Sequence, residues 1–308
     1  MYLSVVIPVY NEEQTLPIMV QRLLPVLAGI GKPCEVIFVN DGSKDRSQEV
    51  LQQLYHAHPD IIRVVQFLRN YGQHPAIMAG FEHVRGEVVV TLDCDLQNPP
   101  EDIPKLLALI EQGHDVVGGY RGNRLDSSYR RFISKVSNMV RERITNVRMR
   151  DHGCMLRAYR REIIDQIVAS GEATPFITAL SQYLAGNPAE IEVGHEERAA
   201  GVSNYNLYKL IRYNFDLVTG FSVVPLQIFT LVGIALSAAS GLLVVWMVLR
   251  RIFIGPEAEG LFTLFAILFL LVSVTMTGLG LIGEYVGRIY MEVRKRPKYV
   301  VKQVLEKP

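Results

Sequence analysis

The sequence predicts a mostly parallel, Rossmann-like α/β sheet followed by two membrane-crossing helices. Three observations carry that prediction. Apolar, β-branched runs alternate with amphipathic segments up to residue 92, the pattern of strands buried on both faces and joined by crossover helices. Polar punctuation falls at the carboxyl ends of those runs, where an open α/β sheet keeps its ligand crevice. Residues 217–249 and 261–283 carry no charged side chain at all.

In order, residues 3–9 read as a first strand, and Asn11 and Glu12 open a helix that runs through residue 27. The absence of a basic leader before this strand gives the expectation that no signal peptide is present. Residues 35–39 are a second strand, closed by Asn40-Asp41-Gly42-Ser43, and residues 45–55 a helix. A third strand covers 61–68, a third helix 75–84 and a fourth strand 86–92. No Gly-x-Gly-x-x-Gly turn follows the first strand and there is no Walker lysine loop, so phosphates must be held by metal and cations. Asp41 is placed to accept hydrogen bonds from a base or ribose and Tyr10 to flank a base; a turn or core role is the alternative for each. His74 and Arg69, after the third strand, are placed for a phosphate contact.

Asp93-Cys94-Asp95-Leu96-Gln97 follows the fourth strand. If the backbone stays extended, Asp93, Asp95 and Gln97 share one face. The paired prolines Pro99 and Pro100 then turn the chain away. Mg2+ or Mn2+ prefers one or two carboxylates supplemented by phosphate oxygens and water, so this spacing suits a cation that binds together with a phosphorylated substrate. An acidic turn is the other reading.

Global composition narrows the classes. With 32 Lys plus Arg against 31 Asp plus Glu, no net field points to nucleic acid. Three widely spaced cysteines without a Cys-x-x-Cys pair argue against a disulfide framework or zinc site. His56 and His58 lack further ligands at zinc spacing and read as surface residues.

Ser4-Val5-Val6-Ile7-Pro8-Val9-Tyr10-Asn11-Glu12-Glu13, Asn40-Asp41-Gly42-Ser43 and Asp93-Cys94-Asp95-Leu96-Gln97 resemble the motifs of family 2 glycosyltransferases with the GT-A fold. Arg69-Asn70-Tyr71-Gly72-Gln73-His74, Asp95-Leu96-Gln97-Asn98-Pro99-Pro100 and Asp151-His152-Gly153-Cys154-Met155-Leu156-Arg157-Ala158-Tyr159 resemble its polyprenyl-phosphate branch, along nearly the whole chain. The resemblance implies that Pro8, Tyr10, Glu12 and Asp41 grip the nucleotide, that Asp95 and Gln97 are metal ligands, and that Asp93 contacts the sugar nucleotide or the metal. It puts Arg121, Arg130 and Ser134 at the acceptor phosphate. Asp151 matches a residue sometimes assigned as base; a structural carboxylate ordering Arg157, or one ordering a metal water, is the alternative. Arg198 is a candidate for stabilising the leaving diphosphate, and the loop containing Ser203 for closing over the donor. Where the family often reads Arg-x-x-Gly-x-Ser-Lys-Tyr, this chain has Arg198-Ala199-Ala200-Gly201-Val202-Ser203-Asn204-Tyr205, so Asn204 adds no charge beside the phosphates.

Residues 226–249 and 261–283 each exceed the roughly 20 apolar residues needed to cross the hydrocarbon core. Arg288, Arg294, Lys295, Arg296, Lys298 and Lys302 outweigh Arg250 and Arg251 of the connecting loop, which places both termini in the cytoplasm by the positive-inside rule. Residues 127–150 interleave seven basic residues, among them Arg130, Arg141 and Arg148, with apolar ones, as an amphipathic helix on anionic lipid would. The expected organisation is therefore a catalytic domain over 1–203, an interfacial helix over 204–225, spans at 226–249 and 261–283 joined by a periplasmic loop over 250–260, and a basic cytoplasmic tail over 284–308.

The resemblance implies an inner-membrane transferase, inverting and metal-dependent, that moves a UDP-linked formamido-arabinose to undecaprenyl phosphate for lipid A modification and polymyxin resistance, in a homo-oligomer, a tetramer in related enzymes. A bactoprenol glucosyl or dolichol-type mannosyl transferase is the neighbouring reading. A non-catalytic membrane scaffold is the reading from another class.

Overall fold

The structure, a computed structural model, describes residues 1–121, 150–151, 153–171, 177–196, 219, 223–253, 261–294 and 296–307. The chain divides into two compact units, Met1–Asn204 with Arg296–Pro308, and Tyr205–Lys295.

The first unit is built on one eight-stranded sheet. Strands β1 (Leu3–Val9), β2 (Cys34–Asn40), β3 (Ile62–Phe67) and β4 (Val88–Thr91) alternate with helices α1 (Thr15–Ile30), α2 (Ser47–Ala57) and α3 (Gln73–His83). A 3-10 turn, Pro100–Asp102, leads into α4 (Ile103–Glu111); β5 (Val116–Arg121), β6 (Arg157–Arg160), α5 (Arg161–Ser170), α6 (Ile177–Leu184) and β7 (Pro188–Val193) follow. The last strand is β8 (Val301–Leu305). The spatial order is β7-β5-β6-β4-β1-β2-β3-β8. The first four strands are mutually parallel, as expected; β6 runs antiparallel to both β4 and β5, and β8 antiparallel to β3.

Continuous burial explains the lack of polar alternation in the central strands. Val5, Val6 and Ile7 of β1, and Val36, Ile37, Phe38 and Val39 of β2, are all essentially inaccessible. Helix α1 covers one face through Leu16, Met19, Val20, Leu23 and Leu27, a helical stripe. Each such side chain removed from water contributes about 2 kcal/mol.

Pro8 lies in a central strand, where a proline is unusual. Its position resolves the oddity. The Val6 carbonyl accepts Leu92 N at 3.1 Å, so alternate residues, Pro8 included, turn their backbone polar groups toward β4. The β1–β4 ladder has already ended at Val6 and Thr91. A missing N–H at Pro8 therefore costs no ladder bond, and the two strands part there.

The second unit holds α7 (Val224–Phe253) and α8 (Leu261–Arg294), of 30 and 34 residues. At 1.5 Å per residue these are about 45 and 50 Å long, more than the roughly 30 Å hydrocarbon core. Leu231, Leu242 and Phe269 are among many large apolar side chains left exposed along them. Such surface suits lipid rather than water, and the pair associates the chain with a membrane. Gly278 of α8 faces the Phe229 ring of α7 so closely that a Cβ would collide with it.

Two expectations from the sequence change here. Helix α8 continues through Arg294, and β8 joins the sheet, so residues 284–308 are not a tail. The reason is that apolar Val301, Val304 and Leu305 complete the ladder on β3, a gain that basic composition does not reveal. The amphipathic segment 127–150, but for Arg150, and most of 204–225 lie outside the described residues.

Candidate functional site

Strand register gathers the polar residues at one edge. Thr91 at the end of β4 pairs with Arg157 at the start of antiparallel β6, and Arg121 at the end of β5 pairs with Val193 at the end of β7. The loops after β1, β2, β3, β4, β5 and β7, and the segment before β6, therefore all emerge along the carboxyl edge of the parallel strands.

The turn after β4 sorts its side chains alternately. Asp93, Asp95 and Gln97 are part-exposed, whereas Cys94, Leu96 and Asn98 are 3%, 4% and 4% exposed. The expected sharing of a face is present, but its cause differs. Strand β4 stops at Thr91, the backbone turns at Cys94-Asp95, and Leu96 sits at φ 62 in the left-handed region. That conformation costs a non-glycine residue about 1 kcal/mol, offset here by burial of the leucine side chain in the core. Pro99 and Pro100 begin the 3-10 turn beyond, after the reversal has been made. Asp95 Oδ1 accepts Gln97 N at 3.2 Å, closing the turn on itself.

A hard divalent cation fits the oxygen donors that these three part-exposed side chains offer. Burial pushes the Cys94 thiol up, and the Glu12, Asp95 and Asp93 carboxylates push it further, so the turn lies in a negative field. Among the described residues no three His, Cys, Asp or Glu side chains cluster tightly enough to hold a metal alone. Two carboxylates and an amide would need a substrate's phosphate oxygens to complete the shell.

The loops after β1, β2 and β3 are laced together. Asn11, at φ 57, accepts Lys44 N at 2.8 Å through its side chain while its own amide donates to Ser43 Oγ at 3.0 Å. Glu12 N donates to Ser47 Oγ at 2.8 Å, and the Glu12 carboxylate accepts Thr15 Oγ1, which also touches Cys94 Sγ at 3.8 Å. Tyr10 stands 41% exposed at the rim, and Pro8 is part-exposed behind it.

Asp41 is 2% exposed and accepts Tyr71 N at 2.6 Å, Gly72 N at 2.8 Å and Asn70 Nδ2 at 2.9 Å. Burial raises its pKa, opposed by the two backbone bonds. Gly42 beside it, at φ 65, has no room for a Cβ against the Arg69 and Asn70 backbone. The Asp41 carboxylate is thus spent on folding the loop over 69–72. Arg69 projects exposed from that loop, its guanidinium 4.5 Å from the Tyr71 ring centroid. His74 is desolvated, which lowers its pKa and leaves it neutral at pH 7, unlike a cationic phosphate ligand. Its neighbour Gln73 instead reaches the acidic turn, Nε2 donating to Asp93 Oδ1 at 2.6 Å. Gln73 was missed by sequence reasoning, although it belongs to a motif that reasoning singled out; an amide carries no charge to mark it.

Arg121 and Asp151 form a two-bond fork, Nε to Oδ2 at 2.6 Å and Nη2 to Oδ1 at 3.0 Å, with Gly153 N adding 2.9 Å to Oδ1. Buried Arg157 braces the same segment by donating to the carbonyls of Asp151 at 2.9 Å and Cys154 at 3.0 Å. Asp151 thus meets Arg157 through its backbone carbonyl, while its carboxylate is engaged by Arg121. Arg130, Ser134, Arg198, Ser203 and Asn204 lie outside the described residues.

A second feature that the sequence hid is an ionic clamp from α1. Arg22 forks Glu101 at 2.9 and 2.8 Å and Glu196 at 2.9 and 2.9 Å. With Glu196 N donating to Gln97 O at 2.9 Å, it fixes the chain after β7 beside the acidic turn. Hydrogen bonds from Arg22 lower the pKa of Glu101 and Glu196 below 4.5. Carboxyls depressed in the folded state stabilise it above their unfolded pKa, and that contribution disappears as pH falls through the folded values. Arg22→Ala is expected to lower the unfolding free energy measured by urea titration above roughly pH 5, by no more than about 1 kcal/mol because the pairs are half-exposed, with the difference from wild type shrinking below about pH 4.

A concavity of about 520 Å3 lies instead at the amino edge of the sheet, lined by residues that include Tyr2, Arg85, Arg160 and Arg161. Its arginines are committed: Arg160 to the carbonyls of His114 and Ile110, Arg161 to Val84 O and Asp165, Arg85 to Glu306. The chemistry sits at the opposite edge.

Comparison with known proteins bears on what this edge does. The profile of glycosyl transferase family 2 matches residues 4–168. The chain is 48% identical over 304 residues to the undecaprenyl-phosphate 4-deoxy-4-formamido-L-arabinose transferase of Pectobacterium carotovorum, covering 98% of this chain and 93% of that protein. It is 46% identical, over 98% and 93%, to the transferase of the same description from Serratia proteamaculans. Among solved structures, glucosyl-3-phosphoglycerate synthase from Mycobacterium tuberculosis, in complex with Mn2+, UDP-glucose and phosphoglyceric acid, is similar with a TM-score of 0.50 at 18% identity, over 71% of this chain and 77% of that one. That likeness is one of fold, a GT-A-like sheet.

Proposed function

The chain belongs to glycosyl transferase family 2, and on that premise we propose that it transfers 4-deoxy-4-formamido-L-arabinose from a UDP-linked donor to undecaprenyl phosphate, inverting at the anomeric carbon. What carries the reading is identity across almost the whole chain, apolar helices included, with transferases of that one description.

An oxygen of the acceptor phosphate forms a bond to the anomeric carbon as the bond from that carbon to the UDP oxygen breaks. The acceptor phosphate is already ionised at neutral pH, its second pKa being about 6, so positioning matters more than deprotonation. Tyr10 at the rim flanks the base, with Pro8 and Glu12 beside it. Asp41 acts through the loop it folds, which holds Arg69 out toward the phosphates. Gln73 fixes Asp93 toward the donor. Asp95 and Gln97 would hold Mg2+ or Mn2+, whose role when bound is to neutralise the leaving diphosphate. Arg121, oriented by Asp151, faces the acceptor phosphate. By motif, Arg130 and Ser134 are assigned to the same phosphate, Arg198 to stabilising the leaving diphosphate, and the loop containing Ser203 to closing over the donor.

Lipid supply fits this assignment. The basic residues after α8 outweigh Arg250 and Arg251, which puts the catalytic unit and both termini on the cytoplasmic side of the inner membrane, where a polyprenyl phosphate reaches it from the bilayer. Membranes containing the protein, given radiolabelled donors, should label undecaprenyl phosphate from the UDP-linked formamido sugar. Transfer from UDP-glucose or GDP-mannose with none from the formamido sugar would mean a glucosyl or mannosyl transferase instead.

A further inference from the structure

We propose that the segment from Tyr299 to Glu306 is a strap that positions the donor loop, with Tyr299 acting on the nucleotide site through Phe67 and Tyr71. The inference rests on reading the crevice as a nucleotide-sugar site. Nothing in a basic C-terminal sequence suggests it.

The path begins at the sheet edge. Strand β8 pairs antiparallel with β3, Val64 opposite Leu305 and Phe67 opposite Val301, with the register slipping between Gln66 and Phe67. Leu68 N donates to Val300 O at 3.0 Å, extending the pairing to the residue where β3 turns into the loop. Tyr299 then stacks on Phe67, centroids 4.8 Å apart and planes 14° from parallel. Phe67 in turn meets the Tyr71 ring edge-on at 5.6 Å. Tyr71 carries Arg69 on its ring and gives its amide to Asp41. Two residues on, Gln73 holds Asp93. Aromatic contacts, hydrogen bonds and two residues of backbone together join the strap to the acidic turn.

The far end of the strap is bolted down separately. Glu306 Oε2 accepts Arg63 Nη2 at 2.5 Å and Arg85 Nη2 at 3.0 Å. Arg63 is 7% exposed and also donates to Glu35, 2% exposed, whose other oxygen accepts Ser4 Oγ at 2.6 Å and Arg85 N at 2.7 Å. Lys307 reaches Asp60 at 2.6 Å. A strap needed only to cover an exposed edge would not require this buried anchor. Tyr299 itself is desolvated beside Glu82, which raises its hydroxyl pKa, so the ring is seated in the protein.

The test compares Tyr299→Ala, Tyr299→Leu and Tyr299→Phe in the full-length protein in detergent micelles. UDP affinity is measured by calorimetry in the presence of Mn2+, and amide exchange is followed at Tyr71 and Gly72. Loss of one aromatic pair corresponds to about three- to tenfold in affinity. Tyr299→Ala and Tyr299→Leu are expected to weaken UDP by about fivefold and to speed exchange at both amides, while Tyr299→Phe, which keeps the stack, stays within about twofold of wild type. Leucine keeps the site apolar, so it reports on the stack even if alanine unfolds the edge. UDP affinity and amide exchange unchanged in Tyr299→Leu would overturn the proposal. Failure of the wild-type protein to bind UDP would instead overturn the nucleotide-sugar reading on which it rests.

Discussion

Asp95→Ala is expected to abolish sugar transfer, by about a thousandfold or more, with the thermal midpoint within about 2 °C of wild type. The two halves of that expectation have separate origins. Asp95 is part-exposed on the turn that its carboxylate closes through Gln97 N at 3.2 Å, so little core packing is lost with it. Its oxygens are half of the carboxylate supply of the acidic turn, and neither Gln97 nor the neighbouring thiol, desolvated and set among carboxylates, can replace them. The measurement is UDP release with saturating donor and acceptor, alongside a thermal melt. Chelation of the wild-type protein should reproduce the loss, and added Mn2+ should restore the wild type and not the variant. Full turnover in Asp95→Ala would reject a transfer that depends on a cation held at this carboxylate.

The core of the fold could be read from the chain because its strands announce themselves. Four β-branched runs with no polar alternation can only be strands buried on both faces, and their order with the intervening helices dictates parallel pairing. Pro8, Asp41, Gly42 and Asp93 stand where such a sheet opens its crevice. The peripheral strands lack such signals. β6 is the four-residue Arg157–Arg160, whose buried arginine gives no hydrophobic signal. β8 alternates too few apolar residues to declare a face, and only the edge of β3 makes it a strand.

At the site, types were legible and partnerships were not. Carboxylates at strand ends advertise a cation or a donor, so Asp93 and Asp95 stood out. That Asp41 spends its oxygens on the loop over 69–72 depends on two loops meeting across the edge, with Gly42 shaved to let them touch. Gln73 bonding to Asp93, and Arg22 bridging Glu101 and Glu196, link residues 20 to 174 positions apart. No local period encodes such distances. The left-handed turn at Leu96 is hidden for another reason, since leucine is not a residue that favours it.

Asp151→Asn is expected to lower kcat/KM for undecaprenyl phosphate by about ten- to a hundredfold, chiefly through KM, and to leave the shape of the pH profile unchanged. The geometry supplies the reason. Both oxygens of Asp151 are held by Arg121 at 2.6 and 3.0 Å, and the side chains are 7% and 16% exposed, so the pair is a buried fork that fixes the guanidinium. A general base would need an oxygen turned toward the acceptor, and its loss would cost about a hundred- to ten-thousandfold in kcat and remove the acid limb of the profile. Asparagine keeps the shape and one acceptor for the guanidinium but no countercharge, so the variant also loses stability, by up to about 3–5 kcal/mol. Arg121→Lys, which retains charge but cannot fork, should reproduce the rise in KM. Adding Asp151→Asn to Arg121→Lys should then cost little more, because both substitutions remove the same positioned cation. Full additivity, or a shifted acid limb in Asp151→Asn alone, would return Asp151 to the role of base.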